Sequence, residues 1–427
     1  MSNIKSTSHS TKFANKGKLA DLNIFLMEYR RCLQHFVDFL WNNGYRYTDS
    51  KGNIKVFNIK LNLLDCPSML KSGIIQESGL HSFLSGRALK CCMGQAAGIV
   101  SAAVEKQRKR LYVLSKSKDS GSSKKQRKLL ARKIRQNIPQ KPNCSNAKAE
   151  LCSICCDFRD SENFLRLKSI TKTKLDIKIP IRPTRPSIKF SKIGKRLNSF
   201  LIGESCINIR WELPETILKE DGLVVGADQG LKDVLTLSNG TVTNKIDRHK
   251  HSLDLIIRKV CRKKRGSKAF ARAKAHQTNF VNWSINQLNL SGIKELRLEK
   301  IWNIGFRSRT GKKLSHWQNT VIRNKIESKC RDEGVRFTLS SSTYRSQRCS
   351  VCGNVRKANR KGKIYECKNC GQKIDSDLNA AINHSVDLPE IPYVFRNLNL
   401  NRGLGFFWKS DGLYDLDGRS LQSPPHV

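Results

Sequence analysis

Residues 223–246 read LVVGADQGLKDVLTLSNGTVTNKI. An apolar run reaches Asp228, breaks at Gly230, and is followed by a second apolar run that stops at Asn239-Gly240. Asn-Gly is a strong hairpin signal, because both central positions of a tight β-turn need positive φ. The stretch predicts three strands in quick succession. Beyond it come a helical, basic segment over about 249–290, a strand KELRLEKI (294–301), a helix LSHWQNTVIRNKIESKCRDEG (314–334) and a strand VRFTLSS (335–341). Three antiparallel strands, a helix, a strand, a helix and a strand make a mixed sheet with helices packed on it. That order is compatible with an RNase H-like α/β fold.

The same segments place acids where chemistry can use them. Asp228 ends one apolar strand, Glu299 ends LRLE, and Asp377 opens the helix DLNAAINH. A strand end lets a carboxylate stand clear of the core, and a helix start favours an anion through its N–H groups and dipole. Asp375 competes with Asp377, since either can be the N-cap and either can point at a metal. Three carboxylates brought together repel unless a cation holds them, and two Mg²⁺ ions about 4 Å apart are a suitable occupant for phosphodiester hydrolysis. Taken singly, these acids mean little: a lone Asp after a strand is more often a turn cap, and Glu299 beside Lys300 reads as a surface pair.

Between Glu299 and Asp377 lie Cys349-x2-Cys352 and Cys367-x2-Cys370, each pair followed by a glycine. This spacing lets two tight knuckles share one tetrahedral Zn²⁺, and with all four positions filled the ion is structural. Arg345, Arg348, Arg356, Lys357, Arg360, Lys361 and Lys363 crowd the ribbon, so it is also a candidate contact for a phosphate backbone. Arg345, Arg348, Arg356 and Lys357 are the first candidates for binding nucleic acid.

Upstream, LADLNIFLMEYRRCLQHFVDFLWNN carries Leu22, Phe25, Leu26, Tyr29, Leu33, Phe36 and Leu40 at three- and four-residue spacing, one face of a helix. Residues 78–116 supply a second helix with a long small-residue face and Ser78 as a possible N-cap. From about Lys106 to Lys141 the chain turns to Lys, Arg, Ser and Gln, a basic linker with a further use against phosphates. Between about 145 and 215, FLRLKSI, KLDIKIPIRP and SCINIRWELP alternate as short strands of a small β-barrel or meander. Cys152-x2-Cys155 there is half of a metal motif with no second pair near, and reads as a strand with Cys152, Ile154 and Cys156 on one face.

Composition sets the bounds. The chain has 427 residues, room for two or three domains, and 80 Lys plus Arg against 35 Asp plus Glu, a formal net charge of +45. Such a charge repels itself in the folded state and calls for a polyanion, nucleic acid before membrane surface. No run of eighteen apolar residues is present, which argues against a membrane span. The start, MSNIKSTSHSTKFANKGK, lacks an apolar signal core and reads as a mobile arm or a first strand, so the chain is expected to be cytoplasmic, with the nucleoid if prokaryotic. Fifteen cysteines, an odd number scattered through a large basic chain, fit a reducing compartment. Cys32, Cys66, Cys91, Cys92, Cys206, Cys261 and Cys330 read there as small buried hydrophobes.

Taken together, GADQGLKDVLTLSNG, LRLEKI, STYRSQRCSVCG, ECKNCG and DSDLNAAINH resemble the RuvC-like nuclease and inserted zinc ribbon of the TnpB family, transposon-encoded RNA-guided DNA nucleases similar to compact type V CRISPR effectors. The resemblance is specific over residues 222–386, and before that it is one of layout. It implies catalytic, Mg²⁺-holding roles for Asp228, Glu299 and Asp377, one structural Zn²⁺ on Cys349, Cys352, Cys367 and Cys370, and guide RNA and target DNA as partners. Gln229 and Arg345 depart from the family pattern without removing a ligand. The implied fold class is α+β multidomain: an arm or first wedge strand (1–18), a helical recognition lobe with basic linker (19–141), a β-rich wedge (142–220), a RuvC-like domain (221–345), the zinc ribbon (346–373), the last catalytic helix (374–386) and a tail (387–427). In that tail Phe406, Phe407 and Trp408 are either core residues or a base-stacking platform. The implied activity is RNA-guided DNA cleavage beside a short flanking motif; the rivals are an RNA-guided binder that does not cut and an unguided nuclease or recombinase.

Overall fold

The computed structural model describes residues 3–42, 46–48, 54–56, 68–119, 124, 127–129, 131–132, 141–158, 163–173, 175–301, 311–392, 395 and 400–421. Cys66 lies outside them, as does much of the basic run from about Lys106 to Lys141 beyond Asp119. The chain divides at Glu215/Thr216 into two units, both mixing helices and strands.

In the first unit the segment read as an arm or a first strand is a strand, β1 (Asn3–Ser10). It is followed by α1 (Lys16–Asn42), a hairpin of β2 (Arg46–Thr48) and β3 (Ile54–Val56), α2 (Ser68–Glu77) and α3 (Gly86–Asp119). All seven residues of the predicted α1 face are buried. They pack on α3, which offers Ala88, Cys92, Ala96, Ala97 and Val100, side chains small enough to let the helices approach closely. Ser78 does not cap α3; its Oγ donates to the Ile75 carbonyl at the end of α2, and Ser85 Oγ accepts from Ala88 N (3.1 Å) at the start of α3.

The strands are β4 (Ala149–Cys152), β5 (Cys156–Asp157), β6 (Phe164–Leu167), β7 (Ile177–Pro180), β8 (Lys195–Ile202) and β9 (Cys206–Leu213), with a short helix α4 (Arg185–Ile193) before β8. Period-two burial is clear in β9, where Ile207, Ile209, Trp211 and Leu213 point inward. The expected barrel is not closed among the described residues. One antiparallel sheet runs β1-β9-β8-β4 and a second β5-β6-β7. The edge strand β4 is only four residues long, and a turn at 153–155 then diverts the chain into the second sheet. That turn also corrects the reading of Cys152, Ile154 and Cys156 as one strand face. Ile154 is exposed at its tip while Cys156 is buried in β5.

The second unit holds β10 (Leu223–Gln229), β11 (Leu235–Leu237), α5 (Leu253–Cys261), α6 (Lys268–Asn286), β12 (Ile293–Lys300), α7 (Lys312–Ser315), α8 (Asn319–Asp332) and β13 (Arg336–Ser341). Ser252 and Ser267 cap α5 and α6 by accepting from Leu255 N and Phe270 N. The sheet order is β11-β10-β12-β13, with β10–β11 antiparallel and the other pairs parallel, the mixed sheet that the pattern predicts. The third strand of the opening stretch shrinks to isolated bridges at Val242 and Ile246, because only Thr243 of residues 241–246 is buried and no apolar face holds the segment down.

After β13 come β14 (Asn354–Val355), β15 (Arg360–Lys361), β16 (Ile364–Glu366), β17 (Lys373–Asp375), α9 (Ser376–Ser385), β18 (Phe406–Lys409) and β19 (Gly412–Tyr414). The tail strand β18 pairs with β14 and β19. Phe406 and Trp408 are thereby buried in a small core with Val355 and Leu413, and the Trp408 indole N–H donates to Pro389 O (3.1 Å). Neither ring is a free stacking platform.

Candidate active site and cysteine clusters

Strand β10 carries Asp228, the parallel neighbour β12 carries Glu299, and α9 carries Asp377 in its first turn. Gly226 explains how the helix gets there. A Cβ at that position would collide with the Ala381 carbonyl and the Ser385 nitrogen, so only glycine lets α9 lie directly on β10. The competition between two aspartates is also resolved. Asp375 is the N-cap, its Oδ1 accepting from Asp377 N (2.9 Å) and Leu378 N (3.1 Å), which leaves the Asp377 side chain for the cavity.

That cavity has a volume of about 610 Å³ and is lined by all three acids together with Arg360, Lys363, Trp317 and Ser346. Burial, and then the negative charges of Glu299 and Asp377, push the Asp228 carboxyl well above the usual carboxylate range; Arg360 and Lys363 offset part of this. Asp377 accepts from Arg360 Nη2 (3.2 Å) and pairs with Lys363, which also reaches Asp233 Oδ2 (3.0 Å). Burial works against the Lys363 ammonium, but the hydrogen bonds to Asp377 and Asp233 outweigh it and raise its pKa to about 12.

Sequence reasoning missed one member of the site. His384 has a ring nitrogen within 4.8 Å of carboxylate oxygens of Asp228 and Glu299, and these three form a set at metal-ligand spacing while Asp377 lines the same cavity. His384 Nδ1 lies 2.5 Å from Ser340 Oγ on β13. Burial, with the Arg345 charge, depresses the imidazole to about 3, so it is neutral and its ring geometry is fixed by Ser340. A signal was present: His384 follows Asp377 by seven residues, two helical turns along one face.

The four ribbon cysteines converge. Sγ of Cys349 and Cys370 are 3.6 Å apart, as are those of Cys352 and Cys367, and all four lie within 4.8 Å of one another. A tetrahedron with Zn–S bonds of about 2.3 Å has edges of roughly 3.8 Å, so the group could hold zinc as built. Gly353 and Gly371 take φ of 79° and 73°, and their N–H groups donate to Cys349 O and Cys367 O (both 3.0 Å), closing the two knuckles alike.

The Asn-rich helix next to the ribbon now has a physical reason. Asn379 and Asn383, one turn apart, face the first knuckle: Asn379 Oδ1 accepts from Ser350 N (3.1 Å), and Asn383 Nδ2 donates to the carbonyls of Arg345 (3.0 Å) and Arg348 (2.7 Å). Ala380 and Ala381 are buried on α9, with Ala381 against Gly226. Arg345 and Arg348, expected on a nucleic-acid surface, are instead buried and spent internally. Arg345 donates to the Asn383 and Val386 carbonyls at the C-terminal end of α9, and Arg348 donates to Trp408 O (2.7 Å) and Asn383 Oδ1 (2.5 Å). Arg356 is half-buried and Lys357 exposed.

An acidic cavity at the end of a mixed sheet, tied to a four-cysteine ribbon, is the class of site that the fold defines. Residues 321–384 match the family described as Cas12f1-like, TNB domain. The chain is 33% identical over 131 residues to the CRISPR-associated endodeoxyribonuclease Cas12f1 of Syntrophomonas palmitatica, covering 29% of this chain and 26% of that one. It is 33% identical over 96 residues to the protein of the same name from Sulfoacidibacillus thermotolerans, 22% of each. The matches thus span about a quarter of the length of these curated relatives. A solved Cas12f1–sgRNA–target DNA complex aligns over 90% of this chain and 98% of that one, at 14% identity and a TM-score of 0.29. These sequence matches carry a resemblance to compact type V and TnpB-like effectors. No described helix is long and apolar enough to cross a membrane.

Proposed function

We propose that the chain is an RNA-guided DNA endonuclease with a RuvC-like site built on Asp228, Glu299 and Asp377. The observation that carries this reading is the convergence of the three acids on one cavity, next to a ribbon within the stretch that matches the Cas12f1-like TNB domain. The donors suit Mg²⁺, being hard oxygens; burial first, and then their mutual repulsion, already push the Asp228 carboxyl upward. Asp228 and Glu299 would hold it from the sheet and Asp377 from the helix, with His384 closing one side. Bound there, Mg²⁺ supplies an activated water and stabilises the leaving oxygen of a phosphodiester. Asp228 and Glu299 are fixed by parallel strands in register, so their separation does not depend on a loop. Arg360 and Lys363, which now neutralise Asp377, are placed to meet the scissile phosphate. The four-cysteine ribbon, holding one Zn²⁺, keeps Asp377 in register through Asn379 and Asn383.

The net charge of +45 supports guide RNA and target DNA as partners, the protein gripping a heteroduplex by its backbone and reading a short flanking motif. The recognition role falls to the helical part at 19–141 and the wedge role to 142–220. Residues 221–345 with 374–386 take the nuclease role. The test is to purify the full chain from cells carrying its native flanking DNA, sequence the RNA that survives a high-salt wash, and assay cleavage with Mg²⁺ against EDTA. One dominant structured RNA that directs Mg²⁺-dependent cutting is expected. Random, salt-labile RNA with RNA-independent cutting would make it an unguided nuclease; guided binding without cutting would make it a binder.

A further inference from the structure

The half motif at Cys152-x2-Cys155 acquires a third thiol in the fold. Sγ of Cys91, on α3, lies within 4.8 Å of both Cys152 Sγ and Cys155 Sγ. Cys155 sits in the turn between β4 and β5, which is closed by its own N–H donating to Cys152 O (3.0 Å) and anchored by Lys168 N donating to Cys155 O (2.9 Å). Cys155 is fully buried while Cys91 and Cys152 are half-buried, so the cluster sits at the rim of the core with one side toward solvent. Arg87, one turn before Cys91 on α3, donates from Nε to Cys152 Sγ (3.2 Å).

We propose that Cys91, Cys152 and Cys155 form a second zinc site, separate from the ribbon. Three thiols at mutual ligand spacing, drawn from a helix and a tight turn, are a soft donor set that selects Zn²⁺ over the oxygen-loving Mg²⁺. Three thiolates leave a net charge of −1 around a divalent ion, and the Arg87 guanidinium beside Cys152 balances it. Water fills the fourth position from the solvent side. Zinc binding here takes all three sulfurs as thiolates and releases the protons they still carry, with no change of oxidation state. The ion cross-links α3 to the point where the chain leaves one sheet for the other, a turn that otherwise rests on few backbone bonds. Within a chain that already has a four-cysteine ribbon, the predicted stoichiometry is two zinc ions rather than one.

The test is elemental analysis of the purified full-length protein, expressed with zinc supplied and kept reduced. Two zinc ions per chain are expected in the wild type, one in Cys155→Ser, one in Cys352→Ser, and none in the double variant. Cobalt substitution gives a readout that survives a misfolding variant. Wild type should show thiolate-to-cobalt absorption from seven sulfurs, and Cys352→Ser should keep the share of three. Circular dichroism of Cys91→Ser and Cys155→Ser separates loss of metal from loss of fold. One zinc per wild-type chain, abolished by Cys352→Ser and untouched by Cys155→Ser, would overturn the proposal while leaving the ribbon assignment standing. Recovery of a Cys152–Cys155 disulfide peptide from freshly lysed cells, alkylated without reductant, would overturn it too.

Discussion

The two ends of the acidic cavity solve the same electrostatic problem differently. At the start of α9, Asp377 is already matched by two cations of the chain, Arg360 and Lys363. On the sheet, Asp228 is buried, faces Glu299, and has its carboxyl pushed well up. The helix end is close to neutral as folded, whereas the sheet end is poised for an external cation. An arrangement of this kind costs stability to keep, which is how functional sites often differ from structural ion pairs. Removing an acid should therefore have opposite consequences for activity and for stability, and the size of each depends on which end is touched.

The largest effect is expected at the sheet end. Asp228→Ala should reduce guided cleavage by about a thousandfold or more while RNA and DNA affinity stay within about twofold, since an acid that holds the catalytic ions contributes several kcal/mol to the barrier. Gel-shift and cleavage assays on the same preparation check both numbers. Cutting at near wild-type rate would show that the cavity is not the nuclease site. Next comes the ribbon. If the ribbon holds zinc as proposed, stripping it with a chelator, or Cys352→Ser, should release the knuckle that Asn379 and Asn383 grip, and cleavage should fall by about ten- to a hundredfold as Asp377 loses its register. If the ion only held the ribbon together, DNA binding would drop and single-turnover chemistry on bound DNA would not.

Stability tests the comparison from the other side. Asp228 has a raised folded pKa, so its contribution is fully present below the ordinary carboxylate range and is lost as pH rises through the folded value. In EDTA, Asp228→Asn should raise the Tm of the second unit at neutral pH, by about 2–4 °C for each kcal/mol relieved. Mg²⁺ should raise the wild-type Tm and leave the variant's nearly unchanged. His384 acts in the opposite sense. Its pKa is depressed to about 3, so the stability tied to the neutral ring is present above pH 6.5 and lost as pH falls toward 3. Differential scanning fluorimetry of wild type and Asp228→Asn across pH 3–9 should show the alkaline slope reduced in the variant and the acid slope kept. Equal slopes on both sides would mean that Asp228 is already ionised and screened in the free protein.

How much of this could be read from the sequence follows the range of the signal. Local periodicity placed the α1 face residue by residue, and apolar runs placed β10, β12 and β13, because burial repeats at 3.6 or 2 along one element. The ribbon was legible because its ligands come in short, paired spacings. Of barrel and meander the described residues show only open sheets: alternation announces strands but not whether their edges meet, and the edge strand β4 is four residues long. Arg345 and Arg348 read from the sequence as surface cations, because charge is normally exposed. The end of α9, whose carbonyls need donors, takes Arg345 inside, and the Trp408 carbonyl with the Asn383 side-chain oxygen takes Arg348; no sequence pattern states either. Cys91 shows the limit most plainly. It lies 61 positions before Cys152, and only the packing of α3 on the β4 end brings the thiols together.

The smallest effect separates Asp377 from the rest. Lys363 occupies one oxygen of Asp377 and Arg360 the other, so an incoming cation must compete with both. The Lys363 side chain is 40% exposed, and solvent screening limits what its pair can contribute to roughly 1 kcal/mol or less. Lys363→Met should then lower the Mg²⁺ concentration for half-maximal cleavage by about two- to fivefold, because one competitor for the carboxylate has gone. The turnover rate at saturating Mg²⁺ should fall by a similar, small factor if the freed ammonium serves the phosphate during the reaction. A Mg²⁺ titration of single-turnover rates reads both quantities at once. A shift to higher Mg²⁺ demand would reverse the assignment: Lys363 would then be a strut holding Asp377 for the ion, and the two ends of the cavity would be less different than their charges make them.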